Sequence, residues 1–116
     1  MEEKINELAG KVLLQIYILY KKTHKIPNFN KLLDETKLQK EQLQKALEYC
    51  NDKEFLEIKI IKLLSGDKIF NMQKITSKGI DLIEKPKEKF RKSLFNLTFN
   101  TNFNIENIIK GEMKLF

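Results

Sequence analysis

This 116-residue chain has one cysteine, one histidine, four glycines, two prolines and no tryptophan, so the residue types that usually announce chemistry are nearly missing. Cys50 alone cannot close an internal disulfide, and its place on a helix marks it as a small core residue in a reducing compartment. His24 has no cluster of Cys, Asp or Glu at ligand spacing, so it reads as a solvated loop residue and no metal site is expected. The glycines stand apart at Gly10, Gly66, Gly79 and Gly111, which leaves no glycine-rich phosphate loop and no cofactor motif. Asp34 and Glu35 are adjacent, so on a helix they point in different directions and cannot share a substrate. With no base beside the thiol either, no catalytic constellation emerges and an enzyme is not expected. Long hydrophobic runs are missing too. The longest, Val12 to Tyr20, is broken by Gln15 and is far too short to span a bilayer. The opening MEEKINELAGK has no basic segment ahead of an apolar one, so no secretory signal is expected and a soluble cytoplasmic protein is.

What remains is a chain with 41% hydrophobic residues, enough for one globular domain with a modest core. Lysine and arginine number 22 against 16 acids, a net charge of +6 that favours anionic partners without the density of a polybasic arm. Richness in Lys, Ile and Asn suits an AT-rich genome, which raises lysine for reasons unrelated to function.

Apolar residues at Ile5, Leu8, Ala9, Val12, Leu13, Ile16, Leu19 and Tyr20 recur at helical spacing and predict a first helix over residues 3–22. Leu14, Tyr17 and Ile18 lie off that stripe, so the helix has a second apolar face that needs cover from a partner chain or from the C-terminal tail. Pro27 ends this region, and Asn28 or Asn30 can cap the next helix. Around Leu32 and Leu33 a short helix is expected, then a break at Thr36-Lys37-Leu38, then a helix over residues 39–51. This is helix-turn-helix order. Leu43, Ala46, Leu47 and Cys50 face inward, leaving Gln39, Lys40, Gln42, Gln44 and Lys45 outward with amide and ammonium donors suited to a major groove. Glu41 and Glu48 on the same helix would repel phosphate.

Asn51-Asp52-Lys53-Glu54 is a polar turn. Phe55 to Leu64 then reads as a strand with Ile58 and Ile60 opposed to Glu57 and Lys59. Ser65-Gly66-Asp67 turns the chain, and Lys68 to Lys74 returns with Phe70 and Met72 on one side. Residues 75–84 form a short helix capped by Thr76 or Ser77.

The order helix, helix, turn, helix, hairpin, helix resembles the winged helix-turn-helix family of bacterial transcription regulators over about residues 5–84. Its most specific parts are the run from Leu38-Gln39-Lys40-Glu41-Gln42-Leu43 through Cys50-Asn51-Asp52-Lys53-Glu54-Phe55-Leu56, and Ile75-Thr76-Ser77-Lys78-Gly79, which looks like the family's leucine-threonine-x-x-glycine helix start. Glu54 stands where the family usually has glycine, so that turn is expected to be built differently. The resemblance implies a mainly α fold with a small antiparallel β-sheet (α+β), and a recognition helix reading bases through Gln39, Lys40, Gln42, Gln44 and Lys45. It also implies a hairpin wing, residues 55–74, carrying Lys59, Lys62 and Lys68 along the DNA backbone with help from Lys37. A sequence-specific, double-stranded DNA-binding transcription regulator follows as the leading expectation.

Beyond the winged domain at residues 1–85 comes a basic linker, residues 86–93, whose Lys87, Lys89, Arg91 and Lys92 could also touch phosphate. Residues 94–116 are expected to form a β tail. Phe95, Leu97, Phe99, Phe103 and Ile105 alternate with asparagines and threonine, the period of a half-buried strand, and a second short strand after Gly111 makes a C-terminal β-hairpin. A lone hairpin is marginal in water, so the tail is expected to pair between subunits or to cover the second face of the first helix. Leu14, Tyr17, Ile18, Phe95, Leu97, Phe99, Phe103 and Ile105 are therefore the expected surface for self-association into a homo-oligomer. The alternative reading is a protein-interaction or assembly module on the same scaffold, without DNA binding. A continuous positive strip along the third helix and hairpin favours DNA, whereas a patchwork with exposed apolar surface favours a protein partner.

Overall fold

The computed structural model describes residues 5–84, a mainly helical unit with a two-stranded antiparallel sheet. Its elements run α1 (Ile5–Thr23), α2 (Phe29–Thr36), α3 (Lys40–Asp52), β1 (Leu56–Lys62), β2 (Lys68–Ile75) and α4 (Ser77–Glu84). The basic linker and the alternating tail, with Lys87, Lys89, Arg91, Lys92, Phe95, Leu97, Phe99, Phe103 and Ile105, lie outside the described residues.

α1 is the axis of the core. The expected stripe is buried at Leu8, Ala9, Val12, Leu13, Ile16 and Leu19. Leu14, Tyr17 and Ile18 are buried as well, so between Val12 and Leu19 only Gln15 keeps partial contact with solvent. α3 packs along one side of this helix, with Cys50 Sγ 3.5 Å from the Ala9 carbonyl oxygen, and α2 and α4 also touch it. Tyr20 departs from expectation. At 41% exposure it begins the last turn of α1, which leaves the core behind. His24 stops the helix by turning left-handed (φ 59°) while its N–H bonds to the Tyr20 carbonyl at 2.7 Å, three residues before the proline.

Each later boundary has a local cause. Asn28 caps α2, its Oδ1 accepting from Lys31 N–H at 2.8 Å. Thr36 closes α2 from inside rather than belonging to the break. Its hydroxyl donates to the Leu32 carbonyl at 2.7 Å and accepts from Leu38 N–H at 3.3 Å, while Lys37 takes the left-handed cap position at φ 60°. Leu43, Ala46, Leu47 and Cys50 of α3 are buried as the spacing requires. Burial pushes the Cys50 thiol up to about 12. A thiol whose folded pKa lies above its unfolded value contributes stability below the unfolded pKa that is lost as pH rises through the folded one. Folding stability should therefore decline between about pH 9 and 12, and thiol reagents at pH 8 should label Cys50 only as fast as the chain opens.

The turn out of α3 contains the glycine-less position. Glu54 adopts φ 66°, and its N–H bonds to the Asn51 carbonyl at 3.1 Å while Phe55 N–H reaches the Cys50 carbonyl at 2.9 Å. Left-handed backbone costs an L-residue about 1–2 kcal/mol, and glycine gives back roughly 0.5–1 through the freedom of the unfolded chain. Glu54→Gly is thus expected to stabilise the fold by about 0.5 kcal/mol, read as a higher urea midpoint at unchanged slope.

The hairpin pairs Ile58 with Met72, Ile60 with Phe70 and Lys62 with Lys68, after an irregularity between Glu57 and Ile58. Asn51 Oδ1 accepts from Ile58 N–H at 3.0 Å and ties the strand to α3. Phe70 turns inward and stacks on Phe29 of α2, ring centroids 5.5 Å apart. α4 is then locked to the α3–β1 turn through Thr76. Its N–H donates to the Phe55 carbonyl (3.1 Å), its hydroxyl donates to the Glu54 carbonyl (2.5 Å), and the same oxygen accepts from Gly79 N–H at 3.0 Å. At its far end α4 returns to α1, where Glu84 accepts a short hydrogen bond from the Tyr17 hydroxyl and sits 3.8 Å from the Lys21 ammonium. Burial, then the bond to Glu84, raises the Tyr17 phenol above its ordinary value.

Candidate nucleic-acid interface

The outward surface of α3 is divided by its helical period. Residues 40, 44 and 48 fall on one stripe, and that stripe lies against the hairpin. Lys40 Nζ is 3.8 Å from Asp67 in the hairpin turn, Gln44 is half-buried, and Lys68 of β2 bonds to Glu48 at 2.6 Å. Lys40 and Gln44 therefore do not simply face solvent, as the sequence suggests. Glu41, Gln42, Lys45 and Asp52 occupy the open side, all exposed.

Gln39 is the N-cap of α3 and is exposed. Its N–H donates to Gln42 Oε1 at 3.1 Å, so the Gln42 carboxamide oxygen is engaged in starting the helix. Two-point recognition of adenine by Gln42 would share or break that bond. Of the five side chains expected to read bases, Gln44 is half-buried, Gln39 and Gln42 form the capping box and Lys40 is paired with Asp67, which leaves Lys45 exposed and without a hydrogen bond or ion pair among the described residues.

The hairpin corrects the expected line of charge. Side chains alternate across a strand, and Lys59 and Lys62 are three positions apart, so the two point to opposite faces. Lys62 shares the face of its cross-strand partner Lys68, whose bond to Glu48 fixes that face toward α3. Lys59 pairs across from Asn71 on the reverse side. Lys37, in the left-handed turn leading into α3, is exposed. Lys37, Lys40, Lys45, Lys62 and Lys68 are thus brought onto α3 or its flanks, interleaved with Glu41, Glu48 and Asp67. The surface is a mosaic with a basic excess, and two of its five cations are paired.

Sequence reasoning passed over the end of the hairpin. Ile61, Leu63 and Ile69 are 41%, 41% and 48% exposed, and Leu64 is fully exposed. A signal for this existed: Ile60-Ile61 and Leu63-Leu64 are adjacent pairs, and a strand can bury only one member of such a pair on a single face.

Leu14, Tyr17 and Ile18 are 1%, 6% and 2% exposed within the single chain, so they offer no open surface to a second subunit. Among the described residues no three His, Cys, Asp or Glu side chains gather where a metal ion could be held, and no helix is long and apolar enough to cross a membrane. Comparison with models of protein families, with curated proteins and with solved structures finds no match for this chain.

Proposed function

We propose that this chain is a winged helix-turn-helix protein that binds double-stranded DNA through the seam between α3 and the wing formed by β1 and β2, and that it regulates transcription. The observation that carries this reading is the convergence of Lys37, Lys40, Lys45, Lys62 and Lys68 from three separate segments onto one helix and its flanks. Cations scattered for solubility alone have no reason to meet there. Lys37, Lys45 and Lys62 are available to phosphate directly, whereas Lys40 and Lys68 must exchange Asp67 and Glu48 for it. Surface ion pairs are worth about 0–1 kcal/mol, so that exchange is inexpensive. Base reading falls to Lys45 and to Gln39 and Gln42 at the start of α3, where a recognition helix meets base edges. Lys59 contributes least, being on the reverse face of the wing.

A second reading, a protein-interaction module on the same scaffold, is favoured by the acids Glu41 and Asp52 on the open side of α3 and by the exposed aliphatics at the wing tip. A gel-shift series on random-sequence duplexes separates the two. DNA binding predicts retardation at about 50 mM salt that weakens steeply by about 200 mM. Gln42→Ala should then flatten discrimination between sequences, while Lys62→Ala weakens all of them alike. No retardation at low salt would leave the interaction module as the reading.

A further inference from the structure

The wing is held at its base and at its end by different forces. Ile58, Phe70 and Met72 are buried and Ile60 is half-buried, so the inner part of the hairpin belongs to the core. From residue 61 to residue 69 no residue is buried. Among the described residues, the side-chain bonds between that outer part and the rest of the fold are two ion pairs, Lys68 with Glu48 at 2.6 Å and Asp67 with Lys40 at 3.8 Å.

The two pairs are crossed. The wing supplies one acid and one base from adjacent positions, and α3 supplies the complementary base and acid from Lys40 and Glu48, which stand about 12 Å apart along the helix. Two cations and two carboxylates cancel, so in the free protein this arrangement hides Lys40 and Lys68 from other anions. A phosphate arriving at the seam attracts both lysines and repels both acids, and it therefore acts on the two pairs in the same sense. The Lys68–Glu48 pair resists it more, because it is short and part-buried, and pairs partly shielded from water are screened less by salt than open ones.

We infer that Glu48 and Asp67 form an autoinhibitory latch: in the free protein they hold the outer wing against α3 and occupy two of the cations of the seam, and phosphate opens the latch by taking Lys40 and Lys68 from them. The effect on affinity rests on the DNA-binding reading, whereas the bracing of the wing in the free protein does not.

Two double variants of the full chain test this. Glu48→Gln with Asp67→Asn removes the latch. Glu41→Gln with Asp52→Asn removes the same charge from the open side of α3, where both acids are exposed and neither has a hydrogen bond or ion pair among the described residues. Circular dichroism should find both variants folded. In the free protein, amide hydrogen exchange over residues 61–69 is expected to run roughly two- to fivefold faster in the latch variant than in the original and in the control, with α1 alike in all three. At about 50 mM salt both variants should bind a linear random-sequence duplex more tightly than the original, since each has lost two acids, and the latch variant should exceed the control by about threefold or more. Repulsion between acids and phosphate, acting alone, would give the two variants equal gains. Unchanged exchange over residues 61–69 would overturn the latch whatever the affinities. Faster exchange with a gain in affinity no larger than the control's would overturn its inhibitory role and leave DNA binding intact. Binding by none of the three proteins would overturn the DNA-binding reading and the inhibition together.

Discussion

Gly79→Ala is expected to cost about 3–5 kcal/mol of folding stability, a large effect for a single methyl group. A Cβ at this position would lie 2.2 Å from the Phe55 carbonyl oxygen and 3.1 Å from the Ile75 side chain. The nearer atom is backbone, held in place by the Thr76 N–H that donates to it, so no side chain can swing aside. Relief requires α4 to move away from the α3–β1 turn. That movement pulls on the three hydrogen bonds of Thr76, each worth about 0.5–1.5 kcal/mol, on top of about 1–3 kcal/mol for overpacking. Against a total of roughly 5–15 kcal/mol for a domain, the variant should melt roughly 15–25 °C lower. Asp81→Ala, two residues later and exposed, should stay within about 0.5 kcal/mol of the original. Thermal melts followed by circular dichroism measure both. A Gly79→Ala protein that melts within a few degrees of the original would mean the close approach of α4 to Phe55 is absent in solution. On the proposed DNA-binding reading the same contact matters again, because Phe55 leads directly into β1 and loosening it should weaken DNA binding along with the fold.

Gly79 also shows what was legible in the sequence and why. Thr76 and Gly79 stand three residues apart because one oxygen must accept the N–H of the other, a local requirement that leaves a local signature. The same holds for Asn28 before α2 and for the inward set Leu43, Ala46, Leu47 and Cys50. Element order and boundaries could be read to within about a residue or two at each of these places. Glu54 hid its left-handed backbone, since glycine marks that geometry and glutamate does not. The interface was less legible because its decisive contacts are distant in sequence. Nothing near Lys40 announces Asp67, and nothing near Lys68 announces Glu48, yet these pairs decide which cations remain free. Strand alternation could have separated Lys59 from Lys62 without coordinates, because their odd spacing already places them on opposite faces. The burial of Leu14 and Ile18 is tertiary, set by what packs around α1, which no single helical stripe encodes.

Reversing two charges, Lys45→Glu with Lys62→Glu, is expected to weaken DNA binding by roughly a hundredfold or more at about 50 mM salt. Neither lysine has an ion pair or hydrogen bond among the described residues and both are exposed, so the substitutions should leave folding within about 0.5 kcal/mol. Each cation placed on a phosphate releases a condensed counterion, which is worth roughly tenfold in affinity at this salt, and reversal adds repulsion to the loss. The slope of log affinity against log salt should fall by about 2, one contact for each lysine. Lys59→Glu makes a matched control for Lys45→Glu or Lys62→Glu alone, each with the same change in net charge. If long-range attraction to the whole protein were responsible, Lys59→Glu would do as much as either single reversal; if the α3–wing seam is the contact surface, it should cost no more than about threefold. Glu48→Gln works in the opposite direction, releasing Lys68 from its 2.6 Å bond and removing an acid from beside the phosphates, so binding should tighten. Fluorescence anisotropy on one random-sequence duplex across a salt series measures the original, the double reversal, Lys45→Glu and Lys62→Glu alone, Lys59→Glu and Glu48→Gln. Equal losses from Lys59→Glu and Lys62→Glu, or tighter binding after both reversals, would remove the seam as the DNA-binding surface and return the function to the protein-interaction reading.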